Sequence, residues 1–539
     1  MKSNSVWPAA LSVCLATLFA LPAFAQIGRR FPSEKKIVPD PVTGVPLSFL
    51  TSTPAGDSKI YQTHQQWTAD GKWLIFRSRR AEGQAMAVNE ETGAMVQVTE
   101  KGYMGMLCNA HHAMKLYIMR DVNAGAPPKP APGDSPAAAP GPVAPNAVTA
   151  PAAPAATVAA DASAGGTAPA TPPSAAPDAA RRREFNRPRG PFQIVEVDLA
   201  KLFADSEAGT LKDASAYERV CGTTPEGMTA DGNMGVDAND DFVYFRIGGD
   251  YVVKHLAPGT KIEPRFGPRG MGAGPTGLAS MNLQTGEVKF VTGVGFQIGH
   301  VQTNPWVPGE IVFCWETGGK APQRTWTVMA DGSGLRPLYP EADYEWITHE
   351  AVITKDEVAI AIIALHRPVF PGMPEQPQRP RPRPVAADGQ PAPGADRPRP
   401  PGDPTQTWGP AGGSDHPTGV GIVNLRTREM RIVGQVPIGD PGRSDWHVNG
   451  SADGRWAVCD DFQYRLWLID RHSGEMMLLA DLGHKTTAQD HIHPTFSLDS
   501  TRIEVETAML SADNRAMNIC VVPVPKAWLN RTYPDKAPE

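Results

Sequence analysis

A degenerate repeat constrains this chain more than any other feature. Its period of about 40 to 45 residues is that of a four-stranded propeller blade. The clearest copy starts at Tyr61 and runs Gln65-Gln66-Trp67-Thr68-Ala69-Asp70-Gly71-Lys72-Trp73-Leu74-Ile75-Phe76, then Ala85 to Val88, then Thr92-Gly93-Ala94. That reads as strand, Asp-Gly turn, strand, strand, Thr-Gly turn, strand. Ser451-Ala452-Asp453-Gly454-Arg455-Trp456, followed by Leu466 to Asp470 and Ser473-Gly474, repeats the plan. So does Phe496-Ser497-Leu498-Asp499-Ser500 with Ile519 to Val522. Weaker copies centre on Ala113 to Met119, Asp240 to Phe245, Pro308 to Phe313 and Asp356 to Ile363, and Thr285-Gly286-Glu287 closes the third unit. An Asp-Gly turn alone is common hairpin chemistry. Its return in one context predicts an all-β, seven-bladed β-propeller, in preference to a pair of packed β-sandwiches. Helical periodicity is scarce.

Two stretches interrupt the repeat. Pro and Ala dominate about 124–190, and Pro with Arg dominates about 367–413. Such segments cannot bury enough apolar surface to offset chain entropy, so they are expected as disordered or polyproline insertions. Counting blades places the first inside blade two and the second inside blade five, between strands, where a surface loop grows at small thermodynamic cost. Ahead of the repeat, Lys2, the apolar run Ala9 to Leu21 and Ala23-Phe24-Ala25 read as a signal peptide over 1–25. The domain then occupies 26–539, and the expected location is periplasmic or secreted. No other stretch reaches the roughly 20 apolar residues of a membrane span. The formal net charge of −6 argues against nucleic acid or a membrane surface as partner. Five cysteines follow the signal: Cys108, Cys221, Cys314, Cys459 and Cys520. None has C-x-x-C spacing, which excludes a zinc ribbon. An odd number leaves at least one free thiol, while an oxidising compartment permits one disulfide.

Chemistry enters through the histidines. His64 lies six residues before Asp70, His447 six before Asp453, His493 six before Asp499 and His491 eight before it. His349 lies seven before Asp356, and His300 eight before Pro308. Each falls at the start of a blade's innermost strand, and those starts share one rim of the central channel. A single histidine near a strand start is most often a hydrogen-bonding surface residue. Several at one phase of a repeat imply a functional cluster. His491 and His493 form a His-x-His pair, which on a strand faces one side and suits a bidentate metal site. His349 can supply a third imidazole. His111 and His112 belong to blade two. No G-x-S-x-G elbow, Walker A loop or dinucleotide fingerprint occurs.

These residues bring a family into view. The chain resembles the oligogalacturonate lyases, polysaccharide lyase family 22, from Phe31 to the C-terminus apart from the insertions. The matching elements are Phe31-Pro32-Ser33-Glu34-Lys35-Lys36, Asp40-Pro41-Val42-Thr43-Gly44, Gly299-His300, Phe313-Cys314-Trp315-Glu316-Thr317-Gly318, Arg324-Thr325-Trp326, Thr348-His349-Glu350 and His491-Ile492-His493-Pro494. The resemblance implies a carbon–oxygen lyase acting on a small anionic oligosaccharide. It implies a divalent ion, Mn2+ by preference, on His349, His491 and His493, and a Brønsted base at His300. The family's metal-binding Gln falls at Ala488, with Gln489 one residue later as the candidate ligand. Its catalytic Arg falls at Gly277, which leaves Arg269 or Arg324 as replacements. His64, His447 and His112 are the candidate substrate contacts. β-Elimination fits this set: a cation and Arg neutralise the uronate carboxylate while His removes the C5 proton. Two competing readings are a lyase for another uronide, such as an ulvan- or rhamnogalacturonan-derived oligomer, and a non-catalytic TolB-like binding propeller.

Overall fold

The structure, a computed structural model, describes residues 26–100, 102–123, 191–265, 271–317, 321–342, 345–363, 419–435, 445–461, 463–482, 492–512 and 516–533. The expected signal peptide and both proline-rich insertions lie outside them. Among the described residues, the strands form seven antiparallel sheets in sequence order, the blades of a β-propeller. Two of the seven carry a fifth strand.

The repeat owes its form to one turn. In blade one the Thr68 hydroxyl donates to Asp70 Oδ1 at 2.6 Å, which also accepts from the Lys72 N–H at 3.1 Å. Gly71 follows at φ +68°, in the left-handed region where a Cβ is costly. Blade six repeats this with Ser451, Asp453, Arg455 and Gly454 at 2.7 Å, 3.1 Å and φ +76°. In blade seven, Ser500 occupies the glycine's place at φ +60°.

Alternation along the strands builds the core between blades rather than within them. Leu74 and Phe76 of the second strand pack toward Ile519 and Val521 of blade seven. Ile75, between them, packs toward Leu116 and Ile118 of blade two. Tyr244 faces blade four, and Phe245 faces blade two. Every neighbouring pair of blades is joined by such a cluster. The five cysteines all lie on strands, buried and unpaired, so the permitted disulfide is absent.

Closure comes from the N-terminal side, which the repeat alone does not disclose. Blade seven runs, from the axis outward, Thr495–Phe496, Arg502–Thr507, Asn518–Pro523, then Pro46–Phe49 and Lys36–Pro39. Ser48 pairs with Val521 and Phe49 with Cys520. The strand Pro46–Phe49 is therefore the strap that seals the ring, with Lys36–Pro39 along its outer edge. Arg30–Phe31 adds an outer strand to blade one against Met95–Gln97.

At this seam a buried pair makes stability depend on pH. Lys59 Nζ lies 3.8 Å from Glu504 Oε2, with the two side chains 1% and 0% exposed. Lys59 also donates to Thr495 Oγ1 at 2.8 Å and to the Ile60 carbonyl at 3.2 Å. Neither Glu504 oxygen has a hydrogen-bond partner among the described residues. Burial pushes this carboxyl up from 4.5 to about 8, against the pull of Lys59. Between those values the folded chain holds a proton that the unfolded chain has released. Stability therefore falls as pH rises through that window. We expect the urea midpoint of the wild type, taken relative to that of Glu504→Gln, to fall as pH rises from about 4.5 to about 8. Equal slopes for the two proteins would refute the assignment.

Candidate functional site

The inner strands are irregular at one level of the channel. Pairing register shifts between Met104 and Cys108 in blade two, and between Ala230 and Met234 in blade three. It shifts between Gly299 and Gln302 in blade four, between Ile347 and His349 in blade five, and between Asp445 and Val448 in blade six. In blade one the inner strand pairs at Lys59↔Phe76 and again only at Trp67↔Leu74. In blade seven His493 sits at φ +49° just before Thr495. A bulge bends its strand and re-aims the side chains within it. His300, itself at φ +47°, His349 and His447 all lie at such irregularities.

Five aromatic rings consequently meet around the axis. Ring centroids are 4.8 Å apart for Tyr61 and His300, 5.5 Å for His300 and His349, and 4.1 Å for His349 and His447. The circuit closes with His447 and His493 at 4.2 Å and His493 and Tyr61 at 5.2 Å. Blades one, four, five, six and seven each contribute one ring.

The same nitrogen of each imidazole is engaged from behind. His300 Nδ1 lies 2.7 Å from Glu350 Oε1, and His349 Nδ1 lies 2.6 Å from the Trp446 carbonyl. His447 Nδ1 lies 2.8 Å from Asp460 Oδ2, and His493 Nδ1 lies 3.1 Å from Glu506 Oε1. His300 has a carboxylate oxygen near each nitrogen, Glu350 at Nδ1 and Glu316 at Nε2. For His349, His447 and His493, acceptors at these distances assign the neutral-ring proton to Nδ1 and put the lone pair on Nε2. This is the outer support that metal-ligating histidines carry, fixing tautomer and ring orientation together. Burial, with His300, Arg324 and His493 nearby, pushes the His349 imidazole well below its usual 6.5. Neutral imidazole is the metal-binding form. Imidazole nitrogen is a donor type that suits a divalent cation of nitrogen preference, but the group among the described residues whose ligand atoms all lie within 4.8 Å of one another is His300, Cys314 and Glu316, not the row itself. His349 and His493 both touch His447, which stands between them. His491 and Gln489, the other two expected ligands, lie outside the described residues.

His300 is embedded in a network of its own. Its Nε2 lies 3.1 Å from the Tyr61 hydroxyl and 3.2 Å from Glu316 Oε2. The Arg324 Nε donates to Glu350 Oε2 at 3.3 Å, and its Nη2 lies 3.3 Å from His300 Nδ1. The glycine of the Gly299-His300 step has a steric cause. A Cβ on Gly299 would lie 2.6 Å from the Cβ of Glu316, so only glycine lets that acid lean over the histidine.

Several expectations need correction. Arg324 is 4% exposed and committed to Glu350, so it positions the histidine rather than clamping a substrate carboxylate. His64 is engaged by protein at both nitrogens: Thr63 Oγ1 lies 2.7 Å from its Nδ1, and the Met234 carbonyl 2.6 Å from its Nε2. Burial pulls it down to about 4, so it stays neutral as a brace between blades one and three. His112 belongs to the hairpin after the inner strand of blade two, the far end of that strand from its bulge. Its Nε2 faces the Ala238 carbonyl at 2.8 Å, and its backbone N–H donates to Asp240 Oδ2 at 2.8 Å. His447 is 1% exposed and joins the imidazole row instead of a substrate surface.

Gly277 shows why no arginine stands there. A Cβ at that position would lie 2.6 Å from the Thr292 carbonyl and 2.9 Å from Val252 Cγ2, because the short helix Gly249–Val252 packs against it. Arg269 lies outside the described residues. On the adjacent strand, Arg246 pairs with Leu278 and Ile247 with Gly277. The Arg246 guanidinium reaches the Ile298 carbonyl and the Asp231 carboxylate, which brings a cation to the rim between blades three and four. Burial holds it down at about 10, still charged at neutral pH.

Fold and site together define a seven-bladed propeller with a histidine-lined channel mouth. Among solved structures, the chain is similar in fold to an oligogalacturonate lyase in complex with manganese. Identity there is 14%, coverage is 94% of this chain and 100% of that one, and the TM-score is 0.56. It is also similar to the oligogalacturonate lyase of Vibrio parahaemolyticus, at 16% identity, 93% and 100% coverage and TM-score 0.57. No protein-family profile and no curated protein sequence matches it.

Proposed function

We propose that this protein is a divalent-metal-dependent lyase that cleaves uronic-acid oligosaccharides, oligogalacturonides first among them, by β-elimination, and that it works in the periplasm or outside the cell. The observation that carries the reading is the row of imidazoles with every Nδ1 engaged from behind. The likeness in fold to lyase structures, one of them a manganese complex, supports it.

His349 and His493, with His447 between them, are the described residues that would hold the cation. When bound, it neutralises the uronate carboxylate and so acidifies the neighbouring C5 proton. His300 removes that proton at Nε2, where the substrate C5–H replaces the Tyr61 hydroxyl. Glu350 steadies the resulting imidazolium through Nδ1–H, and Arg324 holds Glu350 in place. Arg246, charged and at the rim, is the candidate clamp for a carboxylate, which would displace Asp231.

The test is direct. Oligogalacturonides incubated with the protein should give unsaturated products, followed by their ultraviolet absorbance. A chelator should abolish the signal and Mn2+ should restore it. Failure on every uronide of a panel, or turnover indifferent to both chelation and His300→Ala, would end the proposal. A non-catalytic propeller predicts instead that metal analysis of the purified protein finds no bound cation.

A further inference from the structure

Beside the imidazole row lies a second, chemically different group of donors. His300, Cys314 and Glu316 place one ligand atom each within 4.8 Å of one another. His300 Nε2 is 3.2 Å from Glu316 Oε2, and Cys314 Sγ is 3.9 Å from the same oxygen. Around a tetrahedral zinc, with bonds of about 2.0 to 2.3 Å, such donors stand roughly 3.3 to 3.8 Å apart. The histidine–glutamate edge is already that short, and the two edges that involve sulfur, 3.9 Å and at most 4.8 Å, close by about an ångström or less.

The backbone explains the convergence. Cys314 lies on the strand Glu310–Trp315 and Glu316 just past its end, with the carboxylate 3.9 Å from the sulfur. Gly299 is the register partner of Cys314 and carries no side chain to cover it. The irregularity that follows turns His300 toward both. Glu316 and His300 keep 17% and 15% of their side chains open, which provides a way in. Sulfur, imidazole and carboxylate together select a borderline-soft cation over a hard one, whereas the neighbouring row offers nitrogen alone.

We propose that Zn2+, or Cd2+ in its place, binds between His300 Nε2, Cys314 Sγ and Glu316, as a second metal site whose occupation silences His300. Binding breaks the Cys314 S–H bond, forms a metal–sulfur bond and releases the proton to buffer; no electron moves. The Tyr61 hydroxyl gives up its contact with Nε2 and is placed to fill the fourth position, or water fills it. Burial pushes the Cys314 thiol well above its usual range, so binding strengthens as pH rises. The inhibitory consequence rests on the proposed role of His300; the binding itself does not.

The experiment saturates the purified protein with Mn2+, titrates Cd2+ and reads the ultraviolet thiolate-to-cadmium charge-transfer band. The wild type should show a band that saturates at one equivalent and is suppressed by Zn2+. Cys314→Ser should lose it, and Cys520→Ser should keep it. Should Cys314→Ser fail to fold, Glu316→Gln should keep the band but weaken Cd2+ binding by about tenfold or more. In turnover assays Zn2+ should inhibit the wild type far more strongly than Cys314→Ser. No band in the wild type, or an unchanged one in Cys314→Ser, overturns the site. A protein that binds cadmium in this way yet cleaves no uronide overturns only the proposed function.

Discussion

Replacing His300 with Asn should lower kcat for elimination by about 10²- to 10⁴-fold, the range of a positioned general base, with a much smaller change in KM. Asn is the informative substitution here. His300 sits at φ +47°, a conformation that Asn tolerates far better than Ala does. The backbone irregularity of blade four should therefore survive, and with it the placement of Glu316. What is lost is the Nε2 lone pair. Glu350 cannot take over, because its oxygens face Nδ1 and Arg324 on the far side of the ring. Initial rates on oligogalacturonides, alongside a thermal melt to verify folding, decide the matter. A folded His300→Asn protein with wild-type kcat would remove His300 from the mechanism.

Phe49→Ala should cost about 3 to 5 kcal/mol of folding stability, the usual range for truncating a buried aromatic. Phe49 is 0% exposed and packs among Trp456, Val505 and Cys520. It belongs to the N-terminal strand that completes blade seven, so its loss opens both a cavity and the seam. Lys36→Ala, on the exposed outermost strand of the same sheet, should change stability by less than about 0.5 kcal/mol. Urea unfolding of both variants checks this. Equal effects would mean that the seam contributes little to holding the ring.

The blade plan was legible because a Thr/Ser-x-Asp turn recurs in blades one, six and seven with its hydrogen bonds intact, which set the period against which the four weaker copies could be counted. The N-terminal closure was not, since Pro46–Phe49 lies outside any copy of the repeat. At the site, offsets counted back from the turn picked out His447, His349 and His493, whose rings lie against one another in the fold. In blade one the same count selected His64. The strand there leaves its ladder between Lys59 and Trp67, so Tyr61, not His64, reaches the ring of rings. Spacing alone cannot register a bulge. Arg246, the proposed clamp, escaped notice for a related reason: it lies on the strand beside Gly277, a neighbour in register rather than in sequence. The acceptors behind the imidazoles, Asp460 and Glu506, are thirteen residues from their histidines and become partners only through strand pairing.

The seam between Thr51 and Ile519 spans 468 positions of the chain. A contact so distant gains nothing until the intervening polymer has been ordered, and loop closure over that distance is entropically costly. During synthesis the six earlier blades can stack pairwise as they emerge, while the opening strand waits with its backbone edge unsatisfied. Locking of the circle is thus the latest step available to this molecule, and any product cut short of the final sheet stays an open, adhesive arc.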